Sequence, residues 1–237
     1  MTNAKSDPQH KPLPVNRYVI FRTNNAFYEG RIVDVLFDGQ KTLYSVISFA
    51  TFEYFRVTDC ELVTQSSLES KRKYRPSSDC GNFNVVRMPN VLKNRLRADK
   101  DSCMVSYYNS TSRKHPVKIS VRRIIQEFMQ FFQQNSLCYD SNEAQEIMNG
   151  FHQLFNTFLP MTLLYEQEKR FLMEKDNLAM KEDYTGDFGP IHLLRMLYFV
   201  QRYNAKFNPR ECVQLVTSDY TVYLIDFLNY KYQDYFM

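Results

Sequence analysis

MTLLYEQEKRF, residues 161–171, and YTGDFGPIHLLRMLYFV, residues 184–200, are the two stretches of this chain that say most about its fold. Both predict helices. The first follows Pro160 and carries apolar residues among charged ones. The helix in the second stretch begins after a loop containing Gly186 and Gly189. Pro190 lies near the first turn of this helix, where proline is tolerated. The pair predicts two helices joined by a loop.

The sequence around them also has helical periodicity, from about Met88 onward. ISVRRIIQEFMQFFQQ and SNEAQEIMNGFHQLFNTFLP each place apolar residues at i, i+3, i+4 and i+7, which predicts an amphipathic helix. Ser120 and Ser141 are the predicted N-caps of these helices. The segment PNVLKNRLRADKD predicts a shorter amphipathic helix, and SDYTVYLIDFLNYKYQDYF predicts a last one. The apolar stripes consist of Val121, Ile124, Ile125, Phe128, Phe131 and Phe132, and of Ile147, Phe151, Leu154, Phe155 and Phe158.

The N-terminal quarter has a different pattern. AFYEGRIVDVLFD alternates apolar and polar residues around Gly30, and Asp38-Gly39 is a turn signal before the returning strand TLYSVISF. Short strands at close spacing predict a small β barrel over residues 17–64. Residues 1–16 are polar and contain prolines, which predicts a disordered lead-in. Residues 65–86, rich in Ser, Lys and Arg, are predicted to be a linker to a helical domain at 87–237.

Composition excludes several classes of protein. The 237 residues carry a net charge of +4 and include five cysteines without a C-x-x-C pair and four scattered histidines, so no metal site and no cofactor are predicted. Reduced thiols, a nuclear or cytosolic compartment and no membrane span are expected. No catalytic motif is present: Glu166, Glu168 and Glu174 are interpreted as solvent-facing partners of lysine, and His192 as a hydrogen-bonded residue at a helix start.

The two opening stretches resemble the MRG family of chromatin proteins, whose members carry an LLY-x-x-E helix followed by a YG-x-x-HLLRL helix. MPNVLKNRLRADKDSC resembles the segment that opens the family's domain, and FYEGRIVDV resembles its preceding chromo-barrel domain. The matching positions in the two stretches are Leu163, Leu164, Tyr165, Glu168 and Phe171, then Tyr184, Gly189, His192, Leu193, Leu194 and Arg195.

The resemblance implies an α+β chain in two domains, a small chromo-barrel-like β barrel followed by an all-α MRG-type domain. It also implies a non-catalytic nuclear adaptor that recruits or assembles a histone acetyltransferase or deacetylase complex and so regulates transcription. Its partners would be chromatin-complex subunits, bound through short hydrophobic motifs, and the histone H3 tail.

FATFEYF, residues 49–55, raises the question of methyl-lysine reading. A trimethylammonium group is held by the faces of several aromatic rings. The resemblance assigns such a cage to Tyr28, Phe49 and Phe52, and a fourth ring is missing because Ile47 or Ser48 stands in its place. The alternative is that these aromatics fill or rim the barrel, and that the chain is an interaction module that has lost methyl-lysine reading.

A partner groove in the helical domain is the second site that the resemblance implies. Its candidate residues are Leu96, Tyr165, Tyr198 and Phe199, whereas Arg97 and Lys100 stand where the family has an aliphatic residue and a tryptophan. The alternative for Tyr165 is an ordinary place in the core.

Two further hypotheses stay open at this point. Non-specific DNA binding through the basic segment Lys71, Arg72, Lys73 and Arg75 would be salt-sensitive and would lack any element that contacts bases. The alternative from another functional class is an unrecognised enzyme, and only the scattered Glu and His residues support it.

Overall fold

The computed structural model describes residues 11–38, 41–62, 88–105, 117–135, 140–175, 182–207 and 211–237. The chain forms two compact units, one built on strands (the β unit) and one on helices (the helical unit). This is the predicted α+β organisation in two parts. Residues 1–10 of the predicted lead-in at 1–16, and the whole of the predicted linker at 65–86, lie outside these ranges.

Four antiparallel strands form the β unit in the order β1-β2-β3-β4. They are β1 (Tyr18–Thr23), β2 (Ala26–Asp38), β3 (Lys41–Ser48) and β4 (Tyr54–Thr58). Asn24 and Asn25 join β1 to β2 with φ angles of 49° and 61°, a left-handed geometry that asparagine tolerates and that two-residue hairpins require. Asp38 pairs with Lys41, as the Asp-Gly signal predicts.

The core of the β unit lies on one face of this sheet. Its buried residues are Val19, Phe21, Ile32, Tyr44, Val46 and Val57. The Tyr44 hydroxyl, deep in this core, donates to Asp59 Oδ1 at 2.8 Å and accepts from Leu13 N at 3.2 Å. Leu62, in the segment after β4, forms an isolated antiparallel bridge with Phe21 of β1. This bridge brings the two edges of the sheet together, as in a barrel.

The helical unit contains seven α-helices in the part of the chain that the structure describes. These are α1 (Asn90–Val105), α2 (Val121–Asn135), α3 (Ser141–Phe158), α4 (Glu166–Lys175), α5 (Pro190–Phe207), α6 (Glu211–Tyr230) and α7 (Tyr232–Phe236). Aromatic rings of α2 and α6 fill much of the interior: Phe128 meets Phe227 at 5.6 Å and Phe132 meets Tyr223 at 5.1 Å between ring centroids.

The predicted helix starts are right in one case and wrong by one residue in the other. Ser120 Oγ accepts a hydrogen bond from Arg123 N, as an N-cap does. Ser141 does not cap α3. Asp140 does, accepting from the backbone N–H groups of Asn142 and Glu143. A carboxylate accepts two amides and also complements the helix dipole, so it is the stronger cap.

A loop carboxylate gives the helical unit a testable pH dependence. Partial burial opposes ionisation of Asp183. Hydrogen bonds from Thr185 and the charge and hydrogen bond of Arg122 outweigh that effect and hold the pKa of Asp183 well below its usual range. A carboxyl whose folded pKa is depressed stabilises the fold above its unfolded pKa, and this stabilisation is lost as pH falls towards the folded pKa.

We therefore expect Asp183→Asn to lower the urea midpoint of the helical unit at pH 7, and the gap from the native chain to shrink at about pH 3. Circular dichroism at both pH values measures it. Glu182→Gln, at the exposed neighbouring position, is the control and should change little. An equal gap at the two pH values would contradict the assignment.

Candidate partner-docking site

The helix predicted to run on after Pro160 is interrupted before Tyr165. Residues Leu159–Leu163 form a π-helical turn, and Leu164 is extended with φ −85° and ψ 135°. The chain then starts α4 at Glu166. Glu168 Oε2 accepts a hydrogen bond from the Tyr165 N–H at 2.9 Å, and Tyr165 O accepts from Lys169 N. This is half of a capping box, so Glu168 fixes the place where the new helix begins.

Glu168 also makes a buried ion pair, which corrects its interpretation as a solvent-facing residue. The guanidinium of Arg195, on α5, donates from Nη1 to Glu168 Oε2 at 2.6 Å and from Nη2 to Oε1 at 3.2 Å. It also donates from Nε and Nη2 to Asp99 Oδ2, on α1, at 2.9 and 2.6 Å. The side chains of Arg195, Asp99 and Glu168 are at most 10% exposed.

A backbone carbonyl completes the surroundings of this guanidinium. Arg195 Nη1 donates to Leu163 O, in the π-helical turn, at 2.8 Å. One arginine therefore joins α1, the turn before α4, α4 itself and α5. Lysine has a single compact ammonium group and could not make this set of contacts.

The Tyr165 ring lies on the flat side of this guanidinium. Arg195 Cζ is 3.9 Å from the ring centroid, within the range of a cation–π contact. Burial raises the pKa of the Tyr165 phenol above its ordinary value, and the Arg195 charge opposes that shift only in part. Because Tyr165 is half-buried, it is neither an ordinary core residue nor a free surface side chain.

The other three groove candidates lie on the two helices that the Asp99–Arg195 pair joins. Leu96 is half-buried and lies one turn before Asp99 on α1. Tyr198 is 38% exposed and, with Phe199, lies one turn after Arg195 on α5. The Phe199 ring meets Phe158 at 5.0 Å in an edge-to-face contact. Each of the four residues therefore lies within about one helical turn, along the chain, of a member of the Asp99–Arg195–Glu168 cluster, and their meeting in one groove stays a prediction.

His192 lies at a helix start, as the sequence predicts. It is buried at the start of α5, its ring meets Phe188 at 4.8 Å, and Nε2 lies 3.5 Å from Glu168 Oε1. Among the residues that the structure describes, no group of three or more His, Cys, Asp or Glu side chains could hold a metal ion.

The candidate cage residues have separate environments. Tyr28 stacks against Phe21 and Phe55 at 5.7 and 5.6 Å, and those two rings are 5.5 Å apart. Phe49 is buried at 6% exposure and meets Tyr18 edge-on at 5.3 Å. Successive residues of a strand point to opposite faces, so Tyr18 and Phe21 belong to different faces of β1. Tyr28 and Phe49 therefore pack against opposite faces of the sheet.

The third candidate is unusual for another reason. Phe52 has a φ of 57°, which is rare for a bulky side chain, and its N–H donates to Ser48 O at 2.8 Å in the loop between β3 and β4. Ile47, one of the two positions where the fourth ring is missing, is 2% exposed. The basic segment Lys71, Arg72, Lys73 and Arg75 lies outside the described residues.

Comparison with protein-family models matches residues 63–237 to the MRG family. The chain belongs to the MRG family. The match contains the whole helical unit, including the Arg195 pairs and all four groove candidates. A search of curated proteins finds no matching sequence.

Membership gives this chain a chromatin-associated protein-interaction role, since MRG proteins are chromatin adaptors and generally not enzymes. Within the described ranges no helix is both long and apolar enough to cross a membrane. Three MRG motif positions identified in the sequence now have physical roles. Arg195 is the centre of the buried charge cluster and Glu168 caps α4. The Tyr165 ring lies on the Arg195 guanidinium.

Proposed function

We propose that this MRG protein is a non-catalytic nuclear adaptor. It recruits or assembles a histone acetyltransferase or deacetylase complex by binding short hydrophobic motifs of other subunits, and it thereby regulates transcription. The docking surface is the region formed by Leu96, Tyr165, Tyr198 and Phe199. The observation that carries the proposal is the half-buried Tyr165 ring, which lies on the Arg195 guanidinium.

A ring fixed in this way suits an anchor for a peptide. Interface energy concentrates in a few aromatic and arginine residues at the centre of a contact. Ordering a flexible side chain on binding costs free energy, and the contact with Arg195 orders Tyr165 before any partner arrives. In this proposal the apolar area beside the anchor comes from the exposed Tyr198 ring and the half-buried Leu96.

We expect the double change Tyr165→Ala with Leu96→Ala to weaken partner binding at least about tenfold, because it removes the anchor ring and its apolar neighbour. Affinity pull-down from nuclear extract with quantified subunits measures it. The control is Tyr230→Ala with Met237→Ala, which removes two exposed apolar side chains, 43% and 86% exposed, at the C-terminal end. Circular dichroism establishes that both variants are folded. Unchanged recovery of chromatin-complex subunits by a folded Tyr165→Ala/Leu96→Ala chain would refute the proposal.

Of the two functions left open, we propose the narrower one: the chain is a protein-interaction module whose β unit does not read methyl-lysine. A cage needs ring faces that converge on one cation. Tyr28 instead packs within a triangle of touching rings, and Phe49 is buried against Tyr18. These contacts leave the two rings on different faces and support the narrower function.

A histone H3 peptide carrying trimethyl-lysine tests this second proposal. We expect no chemical-shift change at the amides of Tyr28, Phe49 and Phe52 in a nuclear magnetic resonance titration up to about millimolar peptide. The unmethylated peptide is the matched control. Saturable shifts at those three amides with the methylated peptide alone would restore the cage and, with it, histone-tail reading.

A further inference from the structure

The outer surface of α1 carries a basic stripe that neither the fold nor the docking residues explain. Lys93, Arg97 and Lys100 follow one another at i, i+4 and i+7, so they share one face of the helix. Arg97 and Lys100 are exposed and Lys93 is half-buried. Within the described ranges none of the three side chains has a carboxylate partner. Like charges at this spacing repel one another, so the stripe costs the isolated helix some stability.

This basic stripe lies beside the proposed docking surface. Residues three and four apart are neighbours on a helix, so Lys93 and Lys100 lie on either side of Leu96. Arg97 is the next residue along the chain. Leu96 is half-buried on the side of α1 that leads to the buried Asp99. An apolar contact at Leu96 would therefore be bordered by three cations.

We propose that the basic stripe of Lys93, Arg97 and Lys100 selects partner segments that carry Asp or Glu beside their apolar anchors. The inference rests on the proposed docking function and names the chemistry of the partner. Acidic side chains that flank an anchor at Leu96 would lie within reach of the stripe and would remove the repulsion along it. Rim charges of this kind act on association rate and on the choice of partner, and salt screens them.

The geometry favours an acidic peptide over nucleic acid. Seven residues of helix span roughly 10 Å, a short track for a phosphate backbone, whereas proteins that bind duplex DNA commonly neutralise about 6–10 phosphates. Leu96 stands between two of the cations, and an apolar side chain there offers nothing to a phosphate. It does offer a contact to an apolar residue of a peptide.

Selection from a displayed library of random 16-residue peptides tests the inference with the full chain. Three versions are used: the native chain, Lys93→Glu/Arg97→Glu/Lys100→Glu, and the control Lys11→Glu/Lys41→Glu/Lys118→Glu at exposed positions elsewhere. Each Lys or Arg to Glu change lowers the charge by two, so both variants go from +4 to 4 − 6 = −2. The matched charge separates a local effect from a global one.

We expect the native and control chains to enrich peptides with Phe or Leu anchors and excess Asp and Glu, and the stripe-reversed chain to lose that excess. An acidic peptide selected on the native chain should bind the stripe-reversed chain at least tenfold more weakly at low salt, and the difference should shrink at about 0.5 M salt. If charge reversal unfolds α1, Lys93→Gln/Arg97→Gln/Lys100→Gln replaces it and should select without charge preference.

Three results would overturn the inference. Enrichment of the same anchors with no acidic excess on the native chain would remove it and leave the docking function standing. No enrichment by any chain would remove the docking function and the inference together. Binding of a 20-base-pair DNA duplex that is lost on stripe reversal, without a charge preference among peptides, would assign the stripe to nucleic acid.

Discussion

Arg195→Met is expected to destabilise the helical unit by about 3–5 kcal/mol, the usual cost of removing one partner from a buried ion pair. Methionine roughly fills the space of the arginine stem but donates no hydrogen bond. Asp99 and Glu168 would remain buried next to each other as carboxylates without their cation, and Leu163 O would lose its donor. Urea unfolding followed by helical circular dichroism measures the change.

Two further variants make this result specific. Arg202→Met, two turns later on the same helix and exposed, is the matched control and should cost less than about 0.5 kcal/mol. Adding Asp99→Asn and Glu168→Gln to Arg195→Met should recover at least about 2 kcal/mol, because the uncompensated charges are then gone. A loss below about 1 kcal/mol in Arg195→Met, or no recovery on neutralisation, would show that the cluster does not hold the helices together.

Gly30→Ala is expected to have the largest effect in the β unit, about 3 kcal/mol or outright loss of the sheet. Gly30 is buried in β2, opposite Ser48 of β3. A methyl group there would collide with the carbonyl oxygen of Ile47 and approach Val46 Cγ1 to 2.8 Å. A side-chain rotation cannot move a backbone oxygen, so the β2–β3 pairing itself would have to open.

Gly150→Ala is the matched control for this substitution. A methyl group at Gly150, inside α3, meets nothing within 4 Å, so the change should stabilise that helix by about 1 kcal/mol. Amide hydrogen exchange across β2 and β3 reports the effect of Gly30→Ala. Native protection of the Phe49 amide, which donates to Glu29 O of β2, in Gly30→Ala would contradict the close approach of the two strands.

Local patterns predicted the elements of this fold well, and the structure shows why. The stripe from Val121 to Phe132 faces the core because helical spacing alone places it there, and all but Phe131 are buried. The β2–β3 hairpin follows from alternation around a turn signal. Each of these signals is local, the stripe within residues 121–132 and the hairpin within residues 26–48, so the sequence alone is enough to find it.

The candidate site depends on contacts that no local pattern contains. Glu168 resembles a surface carboxylate on a charged helix, and its burial depends on Arg195, 27 residues later, and on helices that come from distant parts of the chain. The helix break before Tyr165 is equally hidden, because an unbroken helical pattern spans it. One signal was available: Arg195 lies within the apolar run PIHLLRM, where a charge needs a partner.

The cage hypothesis shows a different limit. Tyr28 and Phe49 are near one another along the backbone, since Phe49 N donates to Glu29 O, but closeness of paired backbones does not decide which face of the sheet each ring occupies. The face that each ring occupies is set by the strand register and by the positive φ of Phe52 in the loop between β3 and β4. Both depend on the three-dimensional pairing of β3 with β4.

The central claim is that this MRG protein binds chromatin-complex subunits at the region around Tyr165. Site-specific photocrosslinking from Tyr198 is its most direct test. A photoreactive phenylalanine analogue replaces the exposed Tyr198, and the same analogue at Tyr54 of the β unit, 67% exposed, is the control. We expect irradiation in nuclei to crosslink the chain with the analogue at Tyr198 to chromatin-complex subunits, through segments bearing Phe or Leu. The chain with the analogue at Tyr54 should not form these crosslinks. Tyr165→Ala should abolish the crosslinks from Tyr198. The account would be contradicted if the same subunits were crosslinked from Tyr54 but not from Tyr198. It would also be contradicted if the crosslinks from Tyr198 persisted in Tyr165→Ala.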